Sequence, residues 1–299
     1  MIAALVQMSA LSGRRSQSKV NIRELEEPGE SLALLTKSDK NFDTGNHMAF
    51  TVLKDETLED LQLNSLYILQ KSESFRFGMD AVLLSGFVSA KKNQRILDLG
   101  TGTGIIPILL SEKTRAQRIT GVEIQHDIAD MAKRSVDGNH LNGRVEIIEG
   151  DIRNITSFLE PASYDIIVSN PPYTKAGSES KAMAKHEICC TLMDVLSNGT
   201  LTLKPRGEFY MVHRPDRLTD VLEGMRRVGV EPKALRFVCP RQGDAPSLFL
   251  VRGLKNGNPG LKVLVDLIIY DKDGNYTEEA RIQYSQERNK AAGRTMDEA

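Results

Sequence analysis

Between residues 95 and 251, short apolar runs alternate with longer amphipathic stretches. The runs at 95–98, 118–123, 144–148, 164–169, 208–212, 234–238 and 248–251 have strand length and carry many β-branched residues. The stretches between them read as helices at 105–111, 126–140, 181–196 and 217–228. In the second of these, Ile128, Met131, Ala132 and Ser135 recur on one face. A strand–helix rhythm of this kind predicts an α/β fold: a seven-stranded, mostly parallel sheet with helices on both faces. No helical stretch separates the last two strands, so they are expected to form an antiparallel edge.

The flanks differ in pattern. Residues 1–47 are rich in Ser, Lys, Arg and Glu and lack a sustained period, so they are expected to be a disordered extension. Met48 opens an apolar run at 49–53, and a second follows at 66–69. The segment 75–84 ends as a helix for which Asp80 is a candidate cap. One domain is therefore expected over 48–285, with residues 48–90 as its N-terminal segment and 286–299 as a flexible tail. A further strand is expected at 263–270, and the charged sequence from Asp271 is expected to fray.

Composition adds exclusions. Apolar residues make up 40% and charged residues 26%, ordinary values for a globular chain with a sizeable core. The net charge of -1 argues against a wholly basic nucleic-acid binder. The basic excess is local: residues 172–262 hold 15 Lys or Arg against 9 Asp or Glu. Three cysteines, Cys189, Cys190 and Cys239, form no CxxC pair and suit reduced thiols in a cytoplasm. The histidines have no metal-ligand spacing, and no apolar run is long enough to span a membrane. The N-terminus lacks the arrangement of a secretory signal. Nothing in the pattern sets the oligomeric state, and a monomer is the default expectation.

The chemistry concentrates at three strand ends. Asp98-Leu99-Gly100-Thr101-Gly102-Thr103-Gly104 lies at a strand-to-helix turn, where three glycines let the backbone approach a ligand. The pattern is DxGxGxG, not the GxGxxG of pyrophosphate sites. Glu123 ends the next strand, where a carboxylate can accept from both ribose hydroxyls of a nucleoside. After the following strand, Asp151 can accept from an adenine amino group while Ile152 packs on the ring. Asp98 is placed for an α-amino group. Together these features point to S-adenosylmethionine, although Asp98 and Asp151 could also cap the helices that follow them.

The strand at 164–169 runs directly into Asn170-Pro171-Pro172-Tyr173. The two prolines stiffen the loop and remove two backbone donors. At the switch point of a doubly wound sheet this loop faces the cofactor, so Asn170 borders both ligands. An exocyclic amino group is a poor nucleophile because its lone pair is delocalised into the ring. The Asn170 side-chain oxygen and the Pro171 carbonyl can each accept one of its N–H groups and aim the lone pair at the methyl group. Tyr173 can stack on a base flipped into the pocket.

With these motifs, residues 48–285 resemble the class I methyltransferases of the NPPY type. Phe75-Arg76-Phe77-Gly78-Met79-Asp80-Ala81-Val82-Leu83-Leu84 and Ala184-Lys185-His186-Glu187 are similar to segments of the bacterial tRNA(Val) adenosine N6-methyltransferases. The resemblance implies N6 methylation of an adenosine beside the anticodon, with tRNA as partner. It also implies that Gly78 and Asp80 line the methionine end of the cofactor. The family's usual Ala-Arg-His-Glu has become Ala-Lys-His-Glu, which keeps the charge of Lys185 but not a bidentate fork.

Lys175, Lys181, Lys185 and His186 are candidate substrate contacts, the lysines facing a phosphate backbone. His213-Arg214-Pro215 ends a strand on the ligand side. Other readings use the same pocket. A protein glutamine methyltransferase would present a planar amide to the same loop, but residues 1–90 lack the helical periodicity of its usual extra domain. A DNA adenine methyltransferase, a small-molecule methyltransferase and a non-catalytic nucleic-acid-binding module complete the alternatives.

Overall fold

The computed structural model describes residues 21–27, 30–37, 48–72, 78–171 and 190–284. Pro172, Tyr173, Lys175, Lys181, Lys185 and His186, together with Phe75 to Phe77, lie outside the described residues. The chain divides into two units, Met1–Lys54 and Asp55–Ala299.

In the first unit, β1 (Asn21–Glu27), β2 (Glu30–Lys37) and β3 (Met48–Val52) form an antiparallel three-stranded sheet. The expected extension at 1–47 therefore contains two strands, with register Glu27↔Glu30 across the sequence Pro28-Gly29.

The second unit opens with the hairpin β4 (Glu56–Asp60) and β5 (Tyr67–Lys71), followed by α1 (Met79–Phe87). The main sheet is built from β6 (Arg95–Leu99), β7 (Arg118–Glu123), β8 (Val145–Glu149), β9 (Tyr164–Ser169), β10 (Leu203–His213), β11 (Val230–Cys239), β12 (Leu248–Lys255), β13 (Lys262–Val263) and β14 (Leu267–Ile268). Its helices are α2 (Ile105–Lys113), α3 (His126–Gly138), α4 (Leu192–Thr202), α5 (Leu218–Arg227) and α6 (Glu278–Tyr284). The spatial order is β13-β11-β12-β10-β9-β6-β7-β8, and β14 also pairs with β11.

Only β12 runs against its neighbours in this sheet, pairing antiparallel with both β10 and β11. The expected antiparallel strand is thus present but inserted, not at the edge. The crossover through α5 places β11 one strand-width away from β10, and the hairpin return fills the gap. The expected strand at 263–270 is split into β13 and β14, both parallel to β11.

Both faces of the sheet are covered. Ile96, Ile166 and Val168 pack with α1, α2 and α3, while Leu97, Leu99 and Ile167 pack with α4 and α5. Adjacent residues on one strand thus serve opposite cores, which explains why these strands read as continuous apolar runs. Two local expectations change. Helix α4 begins at Leu192, where Thr191 and Asp194 form a reciprocal capping box. The sequence after Asp271 also carries α6, which packs against α1 with Ala280 fully buried. The Lys113 ammonium ties the two together, donating to the Ser85 hydroxyl at 3.0 Å and the Gln283 carbonyl at 2.5 Å.

Candidate cofactor pocket and active site

Strand β6 ends beside β7 on one side and β9 on the other, with Leu99 paired to Val122 and to Ser169. This is the switch point of the sheet, where β6 to β8 run outward one way and β9 starts the other half. The glycine loop, the end of β7 and the Asn170-Pro171 step therefore converge at one edge.

The glycine loop is held from below. The amides of Gly100 and Thr101 both donate to the Val122 carbonyl, at 3.0 and 2.9 Å. All three glycines have positive φ: 72° at Gly100, 56° at Gly102 and 83° at Gly104. A Cβ at Gly100 or Gly102 would meet no protein atom within 4 Å, so the loop presents bare backbone to open space. At Gly104 a Cβ would meet the Ala132 Cβ at 3.2 Å, which makes this glycine a contact between the loop and α3.

Glu123 is buried, and its carboxylate accepts the Gly102 amide at 3.0 Å and the Gln125 amide at 3.0 Å. Each oxygen keeps further acceptor capacity for a ribose hydroxyl. Asp98 is fully buried, and neither of its carboxylate oxygens has a partner in hydrogen-bond geometry. Burial raises its carboxyl to about 7; the nearby Thr101 hydroxyl offsets part of that rise, and the Glu123 charge adds to it. A buried carboxylate without a partner is costly, and a cationic α-amino group is the kind of ligand that removes the cost.

Asp151 differs from expectation in one respect. Its carboxylate accepts the Arg153 amide at 2.9 Å, capping the 3-10 helix Ile152–Ser157, and is gripped by the Arg153 guanidinium at 2.6–3.0 Å. Arg153 holds this carboxyl below the ordinary range. In the sequence the only trace of this contact is the arginine two residues after the aspartate. Ile152 is buried in the α4–α5 core beside Val122.

Asn170 and Pro171 follow β9 directly, and the Ser169 hydroxyl donates to the Leu99 carbonyl at 3.0 Å. This bond couples the start of the Asn-Pro step to the start of the glycine loop. Gly78, not Asp80, is the N-cap of α1; Asp80 sits in its first turn and accepts the Ala81 amide at 3.0 Å. His213 is buried at the end of β10, where its Nδ1 accepts the Arg214 amide at 2.8 Å, and burial lowers its pKa to about 4. Among the described residues no cluster of His, Cys, Asp or Glu is arranged to hold a metal, and no helix is long and apolar enough to cross a membrane.

A parallel sheet with one inserted antiparallel strand, carrying a glycine loop and an acidic strand end at its switch point, defines the class I S-adenosylmethionine-dependent methyltransferase fold. Residues 78–226 match the family model described as the methyltransferase small domain, and the chain resembles proteins named tRNA1(Val) (adenine(37)-N6)-methyltransferase. It is 31% identical to the one from Porphyromonas gingivalis over 158 residues, which is 50% of this chain and 62% of that protein. It is 28% identical to the one from Bacteroides thetaiotaomicron over 219 residues, covering 72% and 87%. The chain thus spans less than two thirds of the first relative but most of the second. A solved structure of a predicted O-methyltransferase from Agrobacterium tumefaciens superposes with a TM-score of 0.59 at 20% identity, covering 69% of this chain and 95% of that one. That likeness concerns the fold alone.

Proposed function

We propose that this protein transfers the methyl group of S-adenosylmethionine to the N6 amino group of an adenosine in tRNA, beside the anticodon. The observation that carries the reading is the placement of Asn170-Pro171 one residue beyond Ser169, whose strand partner Leu99 leads into the glycine loop. The residues present suit the cofactor: bare loop backbone, an unpartnered buried Asp98, and Glu123 at the ribose position. When bound, it supplies an electrophilic methyl group on a sulfonium.

The chain's part is positioning. The Asn170 side-chain oxygen and the Pro171 carbonyl accept the two N–H groups of the adenine, which turns the nitrogen lone pair toward the methyl group. No covalent intermediate on the protein is needed. By sequence, Tyr173 supplies the stacking face and Lys175, Lys181, Lys185 and His186 the substrate contacts. The names of the relatives support tRNA as the partner, and a tRNA substrate suits a cytoplasmic setting.

The test is transfer of a labelled methyl group to unmodified total tRNA, genomic DNA or release factor, offered separately. Label recovered as N6-methyladenosine from tRNA is expected. Label on a release-factor glutamine, with none in tRNA, would replace this reading by the protein glutamine methyltransferase.

A further inference from the structure

Gln70, on β5, is 1% exposed, and both its Nε2 and its Oε1 are without a hydrogen-bond partner. Most buried polar side chains in a native protein are paired, so an amide left wholly unsatisfied calls for a ligand or a cost. Its strand is fixed along α3 by side chains acting on its backbone. Asn139 Oδ1 accepts the Tyr67 amide at 2.9 Å, and the Ser135 hydroxyl accepts the Leu69 amide at 3.0 Å. The Lys71 ammonium lies 3.9 Å from the Asp127 carboxylate. Strand β5 thus climbs α3 toward the helix start just after Glu123, and Gln70 falls between the levels of Ser135 and Asp127. That is the stretch of α3 containing Ala132, the residue facing Gly104.

The direction of the side chain follows from strand alternation. Gln70 shares a face with Ile68. Ile68 packs in the cluster holding Ala81 from the first turn of α1, Ile105 from the first turn of α2, and Ala132. The amide is therefore turned toward the apolar layer on this face of the sheet, the face to which Ile96 and, by alternation along β6, Asp98 also point.

We propose that Gln70 is a cofactor-binding residue. Its Nε2 donates to the α-carboxylate of the methionine moiety, while Asp98 accepts from the α-ammonium. A neutral amide suits a zwitterionic end, since it offers a donor without adding a net charge. The assignment rests on the cofactor reading above.

The test compares S-adenosylhomocysteine with 5′-methylthioadenosine, which has the nucleoside but no amino-acid end. Calorimetry is done on the full chain, wild type and Q70M, with thermal unfolding of each without ligand. Q70M should bind S-adenosylhomocysteine roughly 10- to 100-fold more weakly, bind methylthioadenosine as wild type does, and unfold no earlier. Q70E, which sets an anion against the carboxylate, should lose more for the first ligand and nothing for the second. If Q70M does not fold, Q70E carries the comparison. Equal affinity of wild type and variants for S-adenosylhomocysteine, or a parallel loss for both ligands, overturns the role of Gln70 and leaves the cofactor assignment standing. A wild-type protein that binds neither ligand removes both.

Discussion

The Glu123 carboxylate accepts the amide proton of Gly102 at 3.0 Å, so the acidic strand end and the glycine loop form one unit even without a ligand. Glu123→Ala should loosen the loop as well as remove the ribose acceptor. Losing a charge-assisted acceptor should weaken cofactor binding by roughly 1.5–3 kcal/mol. Calorimetry on Glu123→Ala and Glu123→Gln separates the contributions: the glutamine retains an acceptor, so it should lose less. Equal loss in both variants would mean that the charge alone matters.

The three loop glycines should not respond alike. Gly104→Ala combines a positive φ with a Cβ contact to Ala132 at 3.2 Å, and should destabilise the unliganded fold by about 1–2 kcal/mol for the backbone plus a packing cost. Gly102→Val has the positive φ but no close protein neighbour, so its larger defect should be blocked cofactor binding. Denaturant unfolding and binding titrations on the two variants test this division. Identical profiles would contradict it.

Asp98 sets a pH dependence whose sign can be worked out. Its carboxyl titrates near 7 when folded against 3.8 ordinarily. Between those values the native state keeps a proton that the unfolded chain has lost, so this group's contribution to stability falls as pH rises through the window and is level above it. His213, lowered to about 4, acts in the opposite sense. The measurable quantity is therefore the stability difference between wild type and Asp98→Asn across the series. The variant should be relatively more stable above about 7 and should bind cofactor poorly. A difference independent of pH would show that Asp98 is not perturbed.

The hairpin that carries Gln70 is tied to α3 by an ion pair in which Glu56 is buried and Arg134 partly so. The Arg134 guanidinium grips Glu56 with two bonds of 2.7 and 2.6 Å, and Asp130 steadies it at 2.8 Å. Removing Glu56 leaves the partly buried Arg134 with Asp130 as its remaining carboxylate partner, so Glu56→Ala should cost about 1–3 kcal/mol. Replacing both residues with apolar side chains should cost far less. Equilibrium unfolding of the single and double variants decides; an additive result would refute the pairing.

The chemical step depends on Asn170. Asn170→Ala leaves only the Pro171 carbonyl as acceptor, and the single-turnover rate should fall about 100- to 1000-fold by analogy with losing one preorganised hydrogen bond. Cofactor affinity should change little. A near wild-type rate would remove the proposed mechanism.

Much of this was legible before the structure. Strands β7 and β9 fall at the expected residues because each carries β-branched residues at its centre and ends at a sharp polar stop, at Glu123 and at Asn170-Pro171. Helix α4 starts at a capping box on Thr191, and the earlier part of the expected helix, 181–189, lies outside the described residues. The pairing of Asp151 with Arg153 was hidden because a carboxylate in a loop does not announce its partner. Gln70 was hidden for the opposite reason: next to Lys71 at the end of a five-residue strand, it looks like a solvent-facing position. Its 1% exposure, with Ile68 fully buried on the same face, shows that this face is turned inward.

The insertion of β12 has a consequence for synthesis. Emerging from the ribosome, the chain completes β10 at residue 213, but the partner of its outer edge ends at residue 255. Some forty residues must be added before that edge can be closed, and β11, made in between, has no direct place beside β10. The nascent sheet therefore carries an open, apolar strand edge through a defined interval of elongation. That edge is a point where another chain could pair. Slow translation across 214–255 would prolong the interval, and a truncation ending before Leu248 would make it permanent.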